Sequence, residues 1–537
     1  MRQDDTPVLI AGGSIVGLSA ALFLASHGIK PVLVERHRGI SQHPRAMGLS
    51  PRSMEILRAV GLEEALRKAD PIEVVNSGIL HVETLAGREV GWIDTPSPED
   101  ISAISPTTWL FAAQDNVEPV IRDRAAELGA DIRFHAELES FERATDGTGI
   151  VAVVRDHDRA ERYQVRARYL LAADGHRSPV RDRLGIALDG PGTLGSAISV
   201  LFRADLSAVL RGRRFAVCYI ENAQVQGVLA AYDSDRWALG IGYRPEAGET
   251  PADFTDDRCA ELVRAATGVA DLGVELLAVI PWELAAQVAR RFQEGEVFLA
   301  GDSAHVTPPT GAFGANTGIQ DAHNLAWKLA AVLSGAAGPG LLASYDTERR
   351  AVGRLTVEQA MLRGSFRDGA DGPPPTGILD DLAVMLGYRY GSAPAQGKDG
   401  QPCEARHPRD WSGEPGTRAP HVVLVLGGRS VSTLDLCTGR LVLLAGPEGT
   451  AWAAAARQEA ARLGVALDGY VVGDDLADAD DHWCRAFGVT RRGAVLVRPD
   501  GFVGWRCPSA ADAPAAAIRR ALESVLHRVA GPEGAAP

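Results

Sequence analysis

Residues 7–36 read PVLIAGGSIVGLSAALFLASHGIKPVLVER. An apolar run enters a glycine turn, a helix follows, and a second apolar run ends at Glu35 and Arg36. Leu18, Ala21, Leu22 and Ala25 recur at helical spacing, and Gly28 stands where a C-terminal cap belongs. The pattern is a strand–turn–helix–strand unit of the dinucleotide-binding kind. Its turn comprises Gly12, Gly13, Ser14, Ile15, Val16 and Gly17. Ser14 replaces the middle glycine that lets the backbone approach a pyrophosphate; serine is small, and its hydroxyl can donate to a phosphate. Glu35, eighteen residues beyond Gly17, falls where an acid holds a ribose.

A second stretch, residues 299–330, reads LAGDSAHVTPPTGAFGANTGIQDAHNLAWKLA. An apolar strand leads to Asp302, then to a Pro-Pro loop and a helix. Pro308 and Pro309 stiffen the loop, while Gly311, Gly314 and Gly318 admit a ligand to the backbone. A helix beginning after Asn316 would aim unpaired N–H groups at an anionic, flat ligand. In RYLLAADGHRSPVRDRLGI, residues 168–186, a third apolar strand ends at Asp174 and Gly175, with Arg177, Ser178 and Arg181 beyond. Taken alone, that segment fits a structural ion pair as well as a site. GPGTLG at 190–195 also satisfies GxGxxG, but no strand precedes it and SAISVLFRADL after it is strand-like, so it is a decoy.

The chain has 537 residues and 56.9 kDa, enough for two or three domains. A net charge of -14 without basic runs argues against nucleic acid. The longest apolar stretch, Leu18 to Ala25, is too short for a membrane span, and Asp4 and Asp5 do not suit a signal peptide, so a cytoplasmic protein is expected. Six cysteines without a CxxC pair point to mostly buried thiols, with no disulfide framework and no metal site. Residues 71–108 and 187–290 alternate as in a mostly β domain, with Tyr219, Tyr232, Trp237, Tyr243 and Trp282 forming either a substrate wall or an ordinary sheet core. They interrupt a Rossmann-like domain assembled from 1–70, 109–186 and 291–365. Residues 366–415 are rich in glycine and proline and read as a linker carrying LGYRY (Tyr388, Arg389, Tyr390); 416–537 read as a small α/β domain.

Together, GGSIVG with Glu35, LLAADGHRSPVR and GDSAHVTPPTGAFGANTG resemble the three signatures of FAD-dependent aromatic hydroxylases of the para-hydroxybenzoate hydroxylase type. Arg45 in HPRAMG, Gln114 in AAQDNVEP, LGYRY and LVRPDGFVGWR further resemble the aklavinone hydroxylase-like subgroup, which acts on aromatic polyketides. That subgroup carries a thioredoxin-like C-terminal domain; without CxxC its expected use here is structural, dimerisation included. The resemblance implies that Gly12 to Gly17 hold the FAD pyrophosphate and that Glu35, with Arg36 beside it, holds the adenosine ribose. Arg45 and Gln114 would contact the cofactor, and Asp302 its ribityl or pyrophosphate region. Pro309, Gly311, Gly314, Ala315 and Asn316 would line the isoalloxazine. Asp174 would support the region of FAD and NAD(P)H, with Arg177 and Arg181 as neighbours. Ala312 replaces a commoner glycine and is tolerable with a negative φ.

The implied reaction is hydroxylation of a polycyclic phenol. NAD(P)H, expected to be NADPH, reduces the flavin, and O2 adds to give a C4a-hydroperoxide that attacks an ionised phenol. Arg389 is the candidate for lowering the phenol's pKa, and Pro309 is the loop residue expected beside the flavin ring. Three other outcomes fit the same motifs: Baeyer–Villiger insertion into a ketone or quinone, a flavin dehydrogenase or oxidase, and a non-catalytic nucleotide-binding module.

Overall fold

The computed structural model describes residues 2–41, 45–69, 78–94, 100–215, 217–368, 376–391, 403–478 and 481–528. Runs 369–375 and 392–402 of the expected linker lie outside them. Among the described residues, no helix is long and apolar enough to cross a membrane.

The Gln3–Ala11 strand pairs in parallel with Val32–Glu35 and with Glu161–Ala172, and the last of these pairs in parallel with Val297–Leu299. Val8, Leu9 and Ile10 are fully buried, as a strand covered on both faces requires. Ala11 and Leu299 both stand in register with Ala172. Three strand ends therefore stop side by side, bringing the turn at Gly12, the Asp174 segment and the Asp302 turn to one edge. This is where an open parallel sheet binds ligands. The Ile15–Ser26 helix packs between Gln114–Glu127 and Phe313–Leu333.

A second sheet has the strand order His305–Val306, Glu275–Ala289, Leu188–Arg203, Arg236–Tyr243, Gln226–Ala231, Val217–Glu221, Ile79–Val82, Glu89–Asp94. The decoy GPGTLG is part of the long Leu188–Arg203 strand. Within residues 187–290, expected to be mostly β, lies the Asp256–Thr267 helix. Thr255 caps it, Asp256 and Asp257 occupy its first turn, and Cys259, Val263 and Ala266 are buried at helical spacing. This helix covers one sheet face together with Ile198, Val200, Leu239 and Phe202. The other face is left toward the first domain. Of the six cysteines, expected to be mostly buried, Cys218, Cys259 and Cys437 are buried and the other three are partly exposed.

The C-terminal sheet has the order Leu467–Val471, Leu441–Ala445, Ala494–Val497, Val503–Cys507. The first pair is parallel and the next two are antiparallel, with the Thr450–Leu463 and Pro514–Val525 helices packed together. That is the thioredoxin-like arrangement. Buried charges join it to the first domain. The Glu55 carboxylate accepts from Arg52 at 3.0 Å, from Arg418 Nε at 2.9 Å and from Ser105 at 2.7 Å. Glu348 accepts from Arg498 at 2.7 Å and from Lys328 at 2.7 Å. Asp500 accepts from Asn324 at 3.2 Å and Trp327 at 3.1 Å. Burial pushes the Glu55 carboxyl up, but Arg418 and Arg52 override it and hold it below its ordinary value. Such pairs do not by themselves add much stability, but losing one partner strands the other charge.

Replacing Arg418 with Met is therefore expected to lower the unfolding free energy by about 3–5 kcal/mol, measured by urea denaturation. Replacing Arg440, in an exposed pair with Asp468 at 2.9 Å, is expected to cost less than about 1 kcal/mol.

Candidate active site

The N-terminal turn sits tight against the end of the Glu161–Ala172 strand. Gly12 has φ 106°, and a side chain there would strike the Ala173 carbonyl; one at Gly17 would strike the Gly12 carbonyl. Beyond them lies the end of the Ile15–Ser26 helix, with free N–H groups. Glu35 accepts from the Gly13 N–H at 2.6 Å and from the His37 N–H at 2.9 Å, so it fastens the turn to the second strand. Arg36 is exposed beside it.

Ser14, expected to offer its hydroxyl to a phosphate, donates it instead to Glu118 at 2.9 Å and accepts from Gln114 at 2.9 Å. Gln114 also donates to Glu118 at 2.6 Å and accepts from the Ala46 N–H at 3.2 Å. Gln114 thus ties the glycine turn to the Arg45 loop. Glu118 has no exposed surface. Burial pushes its carboxyl above the ordinary value, and the bonds from Gln114, Ser14 and the Ile15 N–H offset this only in part.

The second stretch departs from expectation in two ways. Its helix runs Phe313–Leu333 and so begins before Asn316, not after it. The free N–H groups at its start belong to Phe313, Gly314 and Ala315, and Gly314 and Ala315 line the cavity described below. Asn316 is buried with its side chain turned back: it accepts from the Ser50 N–H at 2.8 Å and donates to the Gly48 carbonyl at 3.0 Å. Ala312, expected at negative φ, has φ 54° and caps the helix in the left-handed region. The helix start, with its clamp to Gly48 and Ser50, overrides the preference of alanine.

A cavity of about 1970 Å³ opens between these elements and the uncovered face of the second sheet. Ser14, Ile15, Val16, Arg45, Gln114, Asp302, Pro309, Gly311, Gly314 and Ala315 line it. Gly12, Gly13, Gly17, Glu35, Asp174 and Asn316 stand behind that lining. Asp174 accepts from the Val180 N–H at 3.1 Å, and burial raises its carboxyl. Its expected neighbours separate: Arg181 is buried against the Ser303 carbonyl at 3.3 Å, whereas Arg177 is exposed and lines the cavity. Of the aromatics, Tyr219, Tyr232, Trp237 and Trp282 line the cavity, but Tyr243 packs edge-on against Phe254.

Arg389 does not line the cavity. Its guanidinium donates to the Pro415 carbonyl at 3.0 Å and lies 3.7 Å from Glu404 and over the Trp411 ring. A strand of two residues points it away while Tyr388 and Tyr390 turn inward to Arg349. The geometry gives it no reach to a substrate.

The site fits FAD. Two backbone turns are held open by glycines that cannot carry a side chain, and two helix starts face the same space. Among the described residues, Thr307 Oγ1 at its wall and Asp174 Oδ1 behind it are buried without a hydrogen-bond partner. A Rossmann-like fold with this edge defines a flavin-nucleotide binding protein. Residues 5–360 match the FAD binding domain family, and residues 412–532 match the family "Aromatic-ring hydroxylase, C-terminal". The chain is 44% identical to tetracenomycin A2 monooxygenase-dioxygenase of Streptomyces glaucescens, over 99% of each chain. It is also 44% identical to 4-methyl-5-nitrocatechol 5-monooxygenase of a Burkholderia species, over 98% of each. The crystal structure of aklavinone-11 hydroxylase with FAD and aklavinone superposes with TM-score 0.91 at 38% identity, covering 98% of this chain and 100% of that one. This chain belongs to the FAD-dependent aromatic-ring hydroxylases, and it is an FAD-dependent monooxygenase.

Two tests follow from the geometry. Ala312→Gly removes a strained φ and is expected to stabilise the protein by about 0.5–1 kcal/mol in denaturant titration. Glu118, whose carboxyl is raised, contributes stability that is full below its unfolded value near 4.5 and is lost as pH rises through its folded value. The stability of the native protein relative to Glu118→Gln is therefore expected to fall as pH rises above about 4.5; a pH-independent difference in urea unfolding would refute the raised carboxyl.

Proposed function

We propose that the protein hydroxylates a polycyclic aromatic phenol of the polyketide type, with NADPH as electron donor. The observation that carries this reading is the floor of the cavity. Ala197, Ser199, Ala230, Ala238, Gly240 and Gly242 line it from neighbouring strands. A side chain built at Gly240 would come no closer than 3.7 Å to the Val228 carbonyl, and one at Gly242 no closer than 3.9 Å to that of Ser196. Neither glycine adopts a left-handed φ. The backbone does not need glycine at either place, so the missing side chains serve the space above the sheet. A broad, flat floor suits fused rings. Trp109 and Phe111, stacked at 5.6 Å with planes 13° apart, supply an aromatic wall.

When bound, FAD accepts hydride from the nicotinamide and activates dioxygen. The chain's own residues do the rest. The turn at Gly12–Gly17 and the Phe313 helix start would hold the two ends of the cofactor. The helix N–H groups of Phe313, Gly314 and Ala315 would favour negative charge on a flavin ring held there. The Pro308–Pro309 loop is stiff and lines the cavity, where it would support the flavin ring. Apolar lining from Met47, Ala113 and Tyr232, packed on the buried Leu201, excludes water where the two domains meet. The bare sheet floor would leave room for a flat substrate beside the cofactor.

The reading is tested with holoenzyme, NADPH, a tetracyclic phenol and isotopically labelled dioxygen. One labelled oxygen on an intact ring system is expected by mass spectrometry. Ring expansion would mean Baeyer–Villiger insertion, and oxidation without label would mean a dehydrogenase. Gly240→Val is expected to fold normally and to raise KM for the tetracycle about tenfold or more, with little change for a monocyclic catechol.

A further inference from the structure

Ser199 is set apart on the cavity floor. In its strand, Ile198 and Val200 are fully buried against the covered face, so Ala197 and Ser199 face the cavity. Across the sheet, Ser199 pairs with Gly240 on one side and Ile280 on the other. On the glycine side Gly240 has no side chain to shield it, Ser199 is partly exposed, and a ring system lying on Gly240 would meet the hydroxyl edge-on. Trp282, on the Glu275–Ala289 strand, donates its indole Nε1–H to Ser199 Oγ at 3.0 Å. A hydroxyl that accepts from a donor-only indole keeps its own hydrogen to give. The indole also fixes which way that hydrogen can turn, because the accepting side of the oxygen faces Trp282.

We propose that Ser199 donates a hydrogen bond to a ring oxygen of the aromatic substrate, a carbonyl or an ionised phenol, and that Trp282 is the positioning residue that orients this hydroxyl. This rests on the reading that a flat aromatic substrate occupies the cavity floor. A donor aimed at one edge fixes how the rings are rotated over the floor, and hence which carbon is presented for oxygenation. It also stabilises negative charge on a phenol oxygen, the form in which the ring is most reactive toward an electrophilic oxygen. Discrimination against ligands lacking the oxygen is then a property of Ser199 and not of the apolar surface.

The test measures dissociation constants of alizarin, anthraquinone and anthracene for the FAD-loaded enzyme, from changes in flavin absorbance. Wild type, Ser199→Ala, Ser199→Thr and Trp282→Phe are compared. Ser199→Ala is expected to weaken alizarin and anthraquinone about tenfold and to leave anthracene unchanged. Ser199→Thr keeps the hydroxyl, has open space over Gly240 for its methyl, and is expected to restore the discrimination. Trp282→Phe is expected to lose about threefold in the same sense. If Ser199→Ala weakens all three ligands equally, or none, the assignment to Ser199 is overturned while the substrate-class reading stands. If none of the three perturbs the wild-type flavin, the reading of the floor falls and this inference falls with it.

Discussion

One buried carboxylate holds the site in shape. Asp321, in the Phe313–Leu333 helix, accepts from the Gly301 N–H at 3.1 Å, from His305 at 2.7 Å and from Arg349 at 2.7 Å. Burial opposes its charge, but Arg349 and His305 prevail and hold it below its ordinary value. Through these three bonds one side chain fixes the turn that displays Asp302, the short strand that joins the second sheet, and the Ala343–Asp368 helix behind. Arg349 extends the arrangement to Tyr390, whose ring stacks on Phe502 of the C-terminal domain at 4.2 Å. The loop between Asp302 and Phe313 is thus short, stiff and anchored at both ends. A flavin cradle needs that property, since a ring that tilts loses both its helix N–H groups and its distance from the substrate.

Much of this was legible in the sequence, for local reasons. The N-terminal unit is read correctly because turn glycines, helix period and Glu35 lie within thirty residues and constrain one another. The thioredoxin-like order likewise follows from alternating strands and helices. What was not legible depended on distance. Ser14 and Glu118 are 104 positions apart, so nothing nearby shows that the hydroxyl is already engaged. Ala312 prefers negative φ, and only the clamp from Asn316 to Gly48 reveals that the helix starts one residue later in a left-handed cap. Arg389 was singled out by its neighbours in LGYRY, yet strand alternation sends it outward and the two tyrosines inward. The Asp256–Thr267 helix carried a readable Thr cap and first-turn acids, but lay among long strands whose alternation dominated the reading.

The cavity floor shows how absent side chains can carry information. Glycine in a strand interior weakens it and usually marks a bulge or a crowded backbone. Gly240 and Gly242 meet neither condition. The sheet accepts the loss because its other face is well covered by the Asp256–Thr267 helix and a continuous apolar core. Polar groups are correspondingly sparse on the floor, and each one that remains, Ser199 above all, can be specific.

The buried ion pairs between the domains alter what the family boundary near residue 412 means. In sequence it separates two modules; energetically it does not. Arg418 and Arg498 lie on one side of it, and Glu55, Lys328 and Glu348 on the other, all shielded from water. A chain ending before that boundary would take Arg418 from Glu55 and Arg498 from Glu348, leaving these two buried carboxylates with Arg52 and Lys328 as their remaining ion-pair partners, Lys328 lying in the helix whose start faces the cavity. The C-terminal domain, with no dithiol of its own, therefore acts as the missing half of the first domain's interior. The two modules should be inherited, expressed and lost together.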